Sequence, residues 1–280
     1  MAPSGRILVT GGTGKTGRRL VAELDRRGVP CTIGCRHPGS DERAVHFDWA
    51  RPATWAAALE GIEAAYLVAP TDVGDPAPLM TAFVGAATRS GVRRFVLLSA
   101  SIVDAGGPVM GVVHRHLSES SLEWTVLRPT WFMENFTEAS HADTIRSERC
   151  IYSATGDGRV PFISADDIAW GAAVALTAAS PRNDDYVLTG TQALSYDTVA
   201  EMISAALGEP VRHVHLTFDE QVQRLCDAGL ELWHAQTLAL TDLVVAEGAE
   251  DRITPGYTEL TGRAARSFED FVASGVAAWR

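Results

Sequence analysis

An α/β fold is expected, a doubly wound parallel sheet with a small, mainly helical C-terminal lobe, and three features of the 280-residue chain predict it. The apolar run Ile7-Leu8-Val9 meets a cluster of glycines and leaves as an amphipathic segment. Short apolar runs then alternate with helical patterns as far as residue 129, and beyond residue 150 helical patterns dominate. Alternating strands and helices joined by short connections require a parallel sheet with right-handed crossovers.

Ile7, Leu8 and Val9 read as a buried parallel strand, with no polar residue marking a wet face. Gly11, Gly12, Gly14 and Gly17 follow at once, satisfying G-x-G-x-x-G from Gly12 and G-x-x-G-x-x-G from Gly11. Loop glycines allow a tight turn, Gly17 lets the following helix pack close, and the unpaired N–H groups at the helix start face a pyrophosphate. A helix over 14–28 and a strand over 29–35 close the β-α-β unit, so Gly11, Gly12, Thr13, Gly14, Lys15, Thr16 and Gly17 are the expected dinucleotide contacts. A P-loop fails by one residue, because the position that needs its leading glycine is Val9, inside the strand.

An acidic residue at the end of the second strand would hold an NAD ribose. Arg36 stands there instead, a guanidinium suited to a 2′-phosphate, and Asp41 and Glu42 come too late. The cofactor expected is therefore NADP (NADPH). A third strand over 44–47 brings Asp48 towards the adenine. A helix over 54–61 leads to a strand over 64–69, which Pro70 stops, with Ala69 and Pro70 beside the cofactor. A helix ending at Ser90-Gly91 precedes the strand 92–98 and then Ser99. A helix over 109–120 and a strand over 123–129 complete the alternation. Ligands gather at the C-terminal strand ends of such sheets, which makes 68–71, 99–101 and 129–135 the expected walls of one cleft.

Past residue 150, Ser164 opens a helix to 179 and a strand returns at 186–189. Helices follow at 195–207 and 217–228, the second with Thr217 and Glu220 in capping-box spacing. Trp233 falls in a further helix, and 267–279 closes the chain. Residues 1–150 are expected to bind the cofactor and 151–280 to form the substrate lobe, the two interleaved through 160–190. Trp131, Phe132, Phe162 and Trp233 are the aromatic substrate-pocket candidates, and Asn135 is the polar residue among them expected to orient a substrate.

A net charge of −11 speaks against a nucleic-acid surface, which needs clustered Lys and Arg. The chain shows no charged-then-apolar leader and no long apolar run, so a cytoplasmic protein off the membrane is expected, monomer or homodimer, acting on a small molecule. Cys31, Cys35, Cys150 and Cys226 are too scattered for a disulfide framework. His213 and His215 alternate on an expected strand, and with no H-E-x-x-H spacing no metal is expected. Lys15 is the only lysine, which by arithmetic excludes a Tyr-x-x-x-Lys pair and a Schiff-base lysine outside the glycine loop.

The stretches Thr10-Gly-Gly-Thr-Gly-Lys-Thr-Gly17 and Leu127-Arg-Pro-Thr-Trp-Phe-Met-Glu-Asn-Phe136 resemble the NmrA-like branch of the atypical short-chain dehydrogenases. Within it they look most like the ergot-alkaloid reductases of the agroclavine or festuclavine dehydrogenase type. Residues 156–168 and 260–263 follow the same family habit. The resemblance implies an extended Rossmann domain, a nicotinamide cofactor and a small lobe over the substrate. Most short-chain dehydrogenases donate a proton from a tyrosine whose pKa a lysine lowers. Aligned from Thr125, those two positions hold Gly106 and Met110. Aligned from Ser101, they hold His114 and Ser118. The ergot-type reductases work without the pair, because an iminium carbon accepts hydride with no proton delivered to an oxygen. His114, with Ser101 as its partner, is the expected acid, and a surface or capping histidine is the alternative. Three functions stay open here: an NADPH-dependent reductase of a small aromatic or polycyclic electrophile, a redox-neutral cyclase or isomerase, and an NADP-sensing regulator.

Overall fold

A computed structural model describes residues 5–138 and 140–280. In chain order its elements begin with β1 (Arg6–Thr10), α1 (Lys15–Arg26), β2 (Cys31–Cys35), β3 (Ala44–His46), α2 (Trp55–Ala58), β4 (Ile62–Leu67) and α3 (Ala77–Arg89). There follow β5 (Arg94–Leu98), α4 (Met110–Ser118), β6 (Glu123–Pro129), α5 (Ser140–Glu148), β7 (Cys150–Ser153), β8 (Arg159–Val160), α6 (Ala165–Thr177) and β9 (Asp184–Leu188). The last are β10 (Leu194–Ser195), α7 (Tyr196–Leu207), β11 (Arg212–His215), α8 (Phe218–Asp227), α9 (Leu232–Ala246), α10 (Gly256–Thr261) and α11 (Phe268–Gly275).

Two compact units share these elements. The first runs through Pro129 and takes up Ala165–Leu188 and Gly256–Arg263. Its seven strands form one parallel sheet in the order β3-β2-β1-β4-β5-β6-β9. The strand order reverses between β1 and β4, and ligands bind at such a switch point, outside the carboxyl ends of the strands. Side chains of the central strands alternate between two covered faces. Leu8, Ala65, Leu67, Phe95, Leu97 and Val126 point to a core closed by Trp55, Met80, Phe83, Val113 and Leu117 of α2, α3 and α4. On the other face α6 packs on β4, β5 and β6 and against α1. Double coverage explains why these strands read as continuous apolar runs.

Strand limits agree with the sequence expectation to a residue or two, and β6 agrees at both ends. The expected helix over 54–61 is only one turn, Trp55–Ala58, entered through a 3-10 turn at Pro52–Thr54 and ended at Gly61, whose φ is +69°. The expected domain edge near 150 differs from the edge of this unit at Pro129. There β6, the last sheet strand before the chain departs, gives way to residues that pack elsewhere.

The second unit comprises Thr130–Ser164, Thr189–Pro255 and Ala264–Arg280. Two small sheets lie in it, β7 parallel to β11 and β8 antiparallel to β10. Its core is aromatic: Phe136, Phe162, Tyr196 and Phe268 pack with ring centroids 5.2 to 5.8 Å apart. Trp279, fully buried, donates its indole N–H to the Phe136 carbonyl at 2.6 Å. Ser195, Thr217 and Ser267 cap α7, α8 and α11 with their hydroxyls, and Thr217 and Glu220 form the full capping box the spacing predicts. No helix among the described residues is long and apolar enough to cross a membrane.

Candidate functional site

The loop after β1 turns through Gly11, whose φ of +60° lies in the left-handed region that favours glycine. Gly14 N–H donates to the Gly11 carbonyl at 2.9 Å, and Gly12 N–H reaches the Gly34 carbonyl at the end of β2 at 3.2 Å. A side chain on Gly12 would sit 2.6 Å from Ile33 Cγ2, and a Cβ on Gly17 would overlap the Gly11 carbonyl oxygen. Thr10 fixes the other side of the turn. Its hydroxyl donates to the Tyr66 carbonyl at 2.8 Å and accepts the Val68 N–H at 2.9 Å, stitching the end of β1 to the end of β4. Nothing in the one-dimensional pattern singled out Thr10, because its task is a cross-strand bond.

Helix α1 begins at an N-cap, Gly14, that offers no side-chain cap, and its first turn carries no acidic residue. Such a helix start supplies N–H groups and a positive dipole end to an anion. In front of it lies a cavity of about 410 Å³ lined by the glycine loop and by the ends of β2, β3 and β4. Of the expected cofactor residues, Gly11, Thr13, Gly14, Arg36, Asp48, Ala69 and Pro70 line it, and so does Trp49. Gly12, Lys15, Thr16 and Gly17 belong to the same turn and helix start behind that lining. Ser99 sits beyond β5. Its N–H donates to the Leu127 carbonyl at 2.8 Å, and its hydroxyl is buried with no hydrogen-bond partner in the structure.

The cradle, the bare helix start and the cavity fit a dinucleotide: the glycine backbone would hold its pyrophosphate, and Arg36 brings a guanidinium to the cavity lining. One residue there was not legible in the sequence. Asp72, in the loop after β4, lines the same cavity and takes the Arg36 guanidinium in an ion pair of 2.5 Å. Both side chains are more than half exposed, so the pair is worth about 0–1 kcal/mol and yields to a stronger partner. A phosphate dianion is one, through charge-assisted bonds to the guanidinium. Removing the competing charge should help it: Asp72→Asn is expected to tighten NADPH binding about fivefold, the equivalent of about 1 kcal/mol. Fluorescence titration checks it.

His114 lies on α4, buried, with its ring 5.6 Å from that of Trp124, whereas His116 is exposed. Burial, the largest influence, holds the His114 pKa below the ordinary histidine range; the carboxylates of Asp185 and Asp104 oppose this and Arg128 adds to it. Its Nδ1 is buried without a hydrogen-bond partner. Arg128 connects the neighbourhood, donating to Asp185 at 2.8 Å, to Asp104 at 2.5 Å and to the Ser101 carbonyl at 3.0 Å. Ser101 N–H in turn donates to the Pro129 carbonyl. Arg128 thus bonds the Ser101 backbone and acts on His114 through its charge alone, an arginine that entered the sequence reading only as part of a motif.

The second unit holds the expected substrate residues. Phe162 is 1% exposed and packs in the aromatic core, which makes it a core residue rather than the pocket wall expected. Trp131 leans on that core partly buried, Phe132 pairs with Ile163 in an isolated bridge, and Asn135 ends a 3-10 turn, Met133–Asn135. Trp233 is exposed on α9, stacked on His234.

Comparison with known proteins adds to this geometry. A family model described as NAD(P)H-binding matches residues 11–178. The chain is 42% identical to an agroclavine dehydrogenase of Claviceps fusiformis over 284 residues, 98% of each chain. Among solved structures it is similar to an NADPH-dependent quinone oxidoreductase of Escherichia coli complexed with NADPH, with a TM-score of 0.82 at 23% identity over 96% of this chain and 99% of that one. It is also similar to NmrA, a negative transcriptional regulator in complex with NAD, with a TM-score of 0.76 at 14% identity over 98% and 95% of the two chains.

Proposed function

The chain belongs to the NAD(P)H-binding family, and from that premise we propose that it is an NADPH-dependent reductase of a small polycyclic or aromatic electrophile, an iminium before a quinone or an activated alkene. The observation that carries NADPH is Arg36 at the rim of the cavity in front of the glycine turn. The polycyclic substrate rests on the 42% identity to a dehydrogenase named for agroclavine, a likeness that spans both chains.

When bound, the reduced nicotinamide supplies a hydride. The chain's share of the work is positioning, which is worth a large part of a barrier when the acceptor is held in line. Within the first unit the glycine turn and the start of α1 would fix the pyrophosphate and Arg36 the 2′-phosphate. For an iminium the hydride completes the reaction, since the cation is neutralised at carbon and no oxygen needs a proton. The single lysine, Lys15, lies in the glycine turn, so this acceptor is the one a chain without a Tyr-Lys pair serves best.

For a quinone, His114 would donate the proton. Its lowered pKa leaves the ring mostly neutral at neutral pH, so the protonated fraction falls about tenfold for each unit of pH above that pKa. Quinone turnover is therefore expected to fall as pH rises through neutrality, and His114→Ala to slow it about a hundredfold, while iminium turnover stays within about twofold in both tests. Loss of NADPH absorbance with a panel of cyclic iminium, quinone and enone compounds checks the reading. Oxidation by none of them would overturn it.

A further inference from the structure

His213 and His215, alternate residues of β11, point from one face of that strand towards Asp197 in the first turn of α7. Asp197 Oδ1 lies 3.3 Å from His213 Nδ1, and Asp197 Oδ2 lies 3.3 Å from His215 Nε2. The two imidazole rings lie 4.2 Å apart, and the candidate ligand atoms all fall within 4.8 Å of one another. Ligand atoms placed tetrahedrally around zinc stand about 3.3 Å apart, the spacing that each imidazole keeps from the carboxylate oxygen facing it.

The buried member of the group is the second observation. The His213 side chain is 0% exposed, and its Nδ1 forms no hydrogen bond although the carboxylate oxygen is close. Its other nitrogen, Nε2, is 2.8 Å from Ser153 Oγ, which also contacts Thr155 Oγ1 at 2.7 Å. With the proton on Nε2 and donated to Ser153, Nδ1 presents a bare lone pair to an anionic oxygen. A cation between them removes that repulsion, and a hydroxyl bonded to the far ring nitrogen is the support that metal-bound histidines have. Asp197 and His215 are about half exposed, which leaves an entry path and an open position for water.

We propose that Asp197, His213 and His215 bind one divalent transition-metal ion of the zinc class, clipping β11 to the start of α7. Two imidazoles and one carboxylate select such an ion over magnesium or calcium, which take oxygen ligands. This departs from the sequence expectation of no metal, because neither the H-x-H spacing nor Asp197 alone predicts that they converge.

The test uses the full chain stripped with a chelator and titrated with zinc chloride by calorimetry, with a melting curve at each end. One zinc per chain and a rise of several degrees in Tm are expected. His215→Ala and Asp197→Ala, both about half exposed, should weaken uptake roughly a hundredfold while the fold and NADPH binding stay intact. Absence of stoichiometric uptake by the wild-type chain would overturn the proposal. So would uptake unchanged in both variants, which would assign the metal to the cysteines or to the surface.

Discussion

Gly17→Ala is expected to weaken NADPH binding by roughly a hundredfold, about 2.8 kcal/mol and within the range that overpacking costs. The reason is steric. A Cβ at 17 would overlap the Gly11 carbonyl oxygen and crowd Gly12 Cα, so the turn must move away from α1 or the helix must shift along the sheet. Either movement displaces the start of α1, whose N–H groups would face the pyrophosphate. The same crowding lowers stability by about 1–3 kcal/mol, as overpacking does elsewhere. Fluorescence titration with NADPH beside a melting curve separates the two effects, since a chain that is folded at the assay temperature and still fails to bind has lost the cradle itself.

Arg36→Ala is expected to weaken NADPH binding about 10- to 100-fold, the equivalent of a hydrogen bond to a charged group at about 1.5–3 kcal/mol, while NADH binding changes by less than about threefold. In the free chain the substitution removes only an exposed ion pair with Asp72, so stability barely changes. The discrimination between cofactors therefore reports on the 2′-phosphate and not on the fold. Equal losses for NADPH and NADH would mean that Arg36 shapes the cavity wall in general. Paired with Asp72→Asn, which should shift NADPH affinity the opposite way, the two substitutions bracket the electrostatics of that rim.

The sheet and the glycine turn were legible because each depends on local sequence. Strands covered on both faces read as apolar runs, and Gly11, Gly12 and Gly17 sit where a turn, a close approach and a helix contact in that order disfavour a side chain. Caps were legible for the same reason, as at Thr217 and Glu220. What depends on pairing across the chain was not. Asp72 meets Arg36, Thr10 joins β1 to β4, and Arg128 gathers Asp104, Asp185 and Ser101, all over sequence separations that carry no periodic signal. Phe162 shows the converse error. An aromatic residue near an expected cleft reads as a pocket wall, yet burial against Phe136, Tyr196 and Phe268 satisfies it better. The polar helix α5 and the six-residue α10 gave no strong amphipathic pattern, so neither was expected.

The most direct test of the central reading follows the hydride itself. The chain is incubated with an iminium substrate and NADPH deuterated at the transferable position, and the product is analysed by mass spectrometry. A reduced product carrying a single deuterium, formed in step with NADP, is the predicted result. A product of unchanged oxidation level, with the labelled NADPH still bound and intact, would contradict it and leave a redox-neutral enzyme or a cofactor-sensing regulator on the same scaffold.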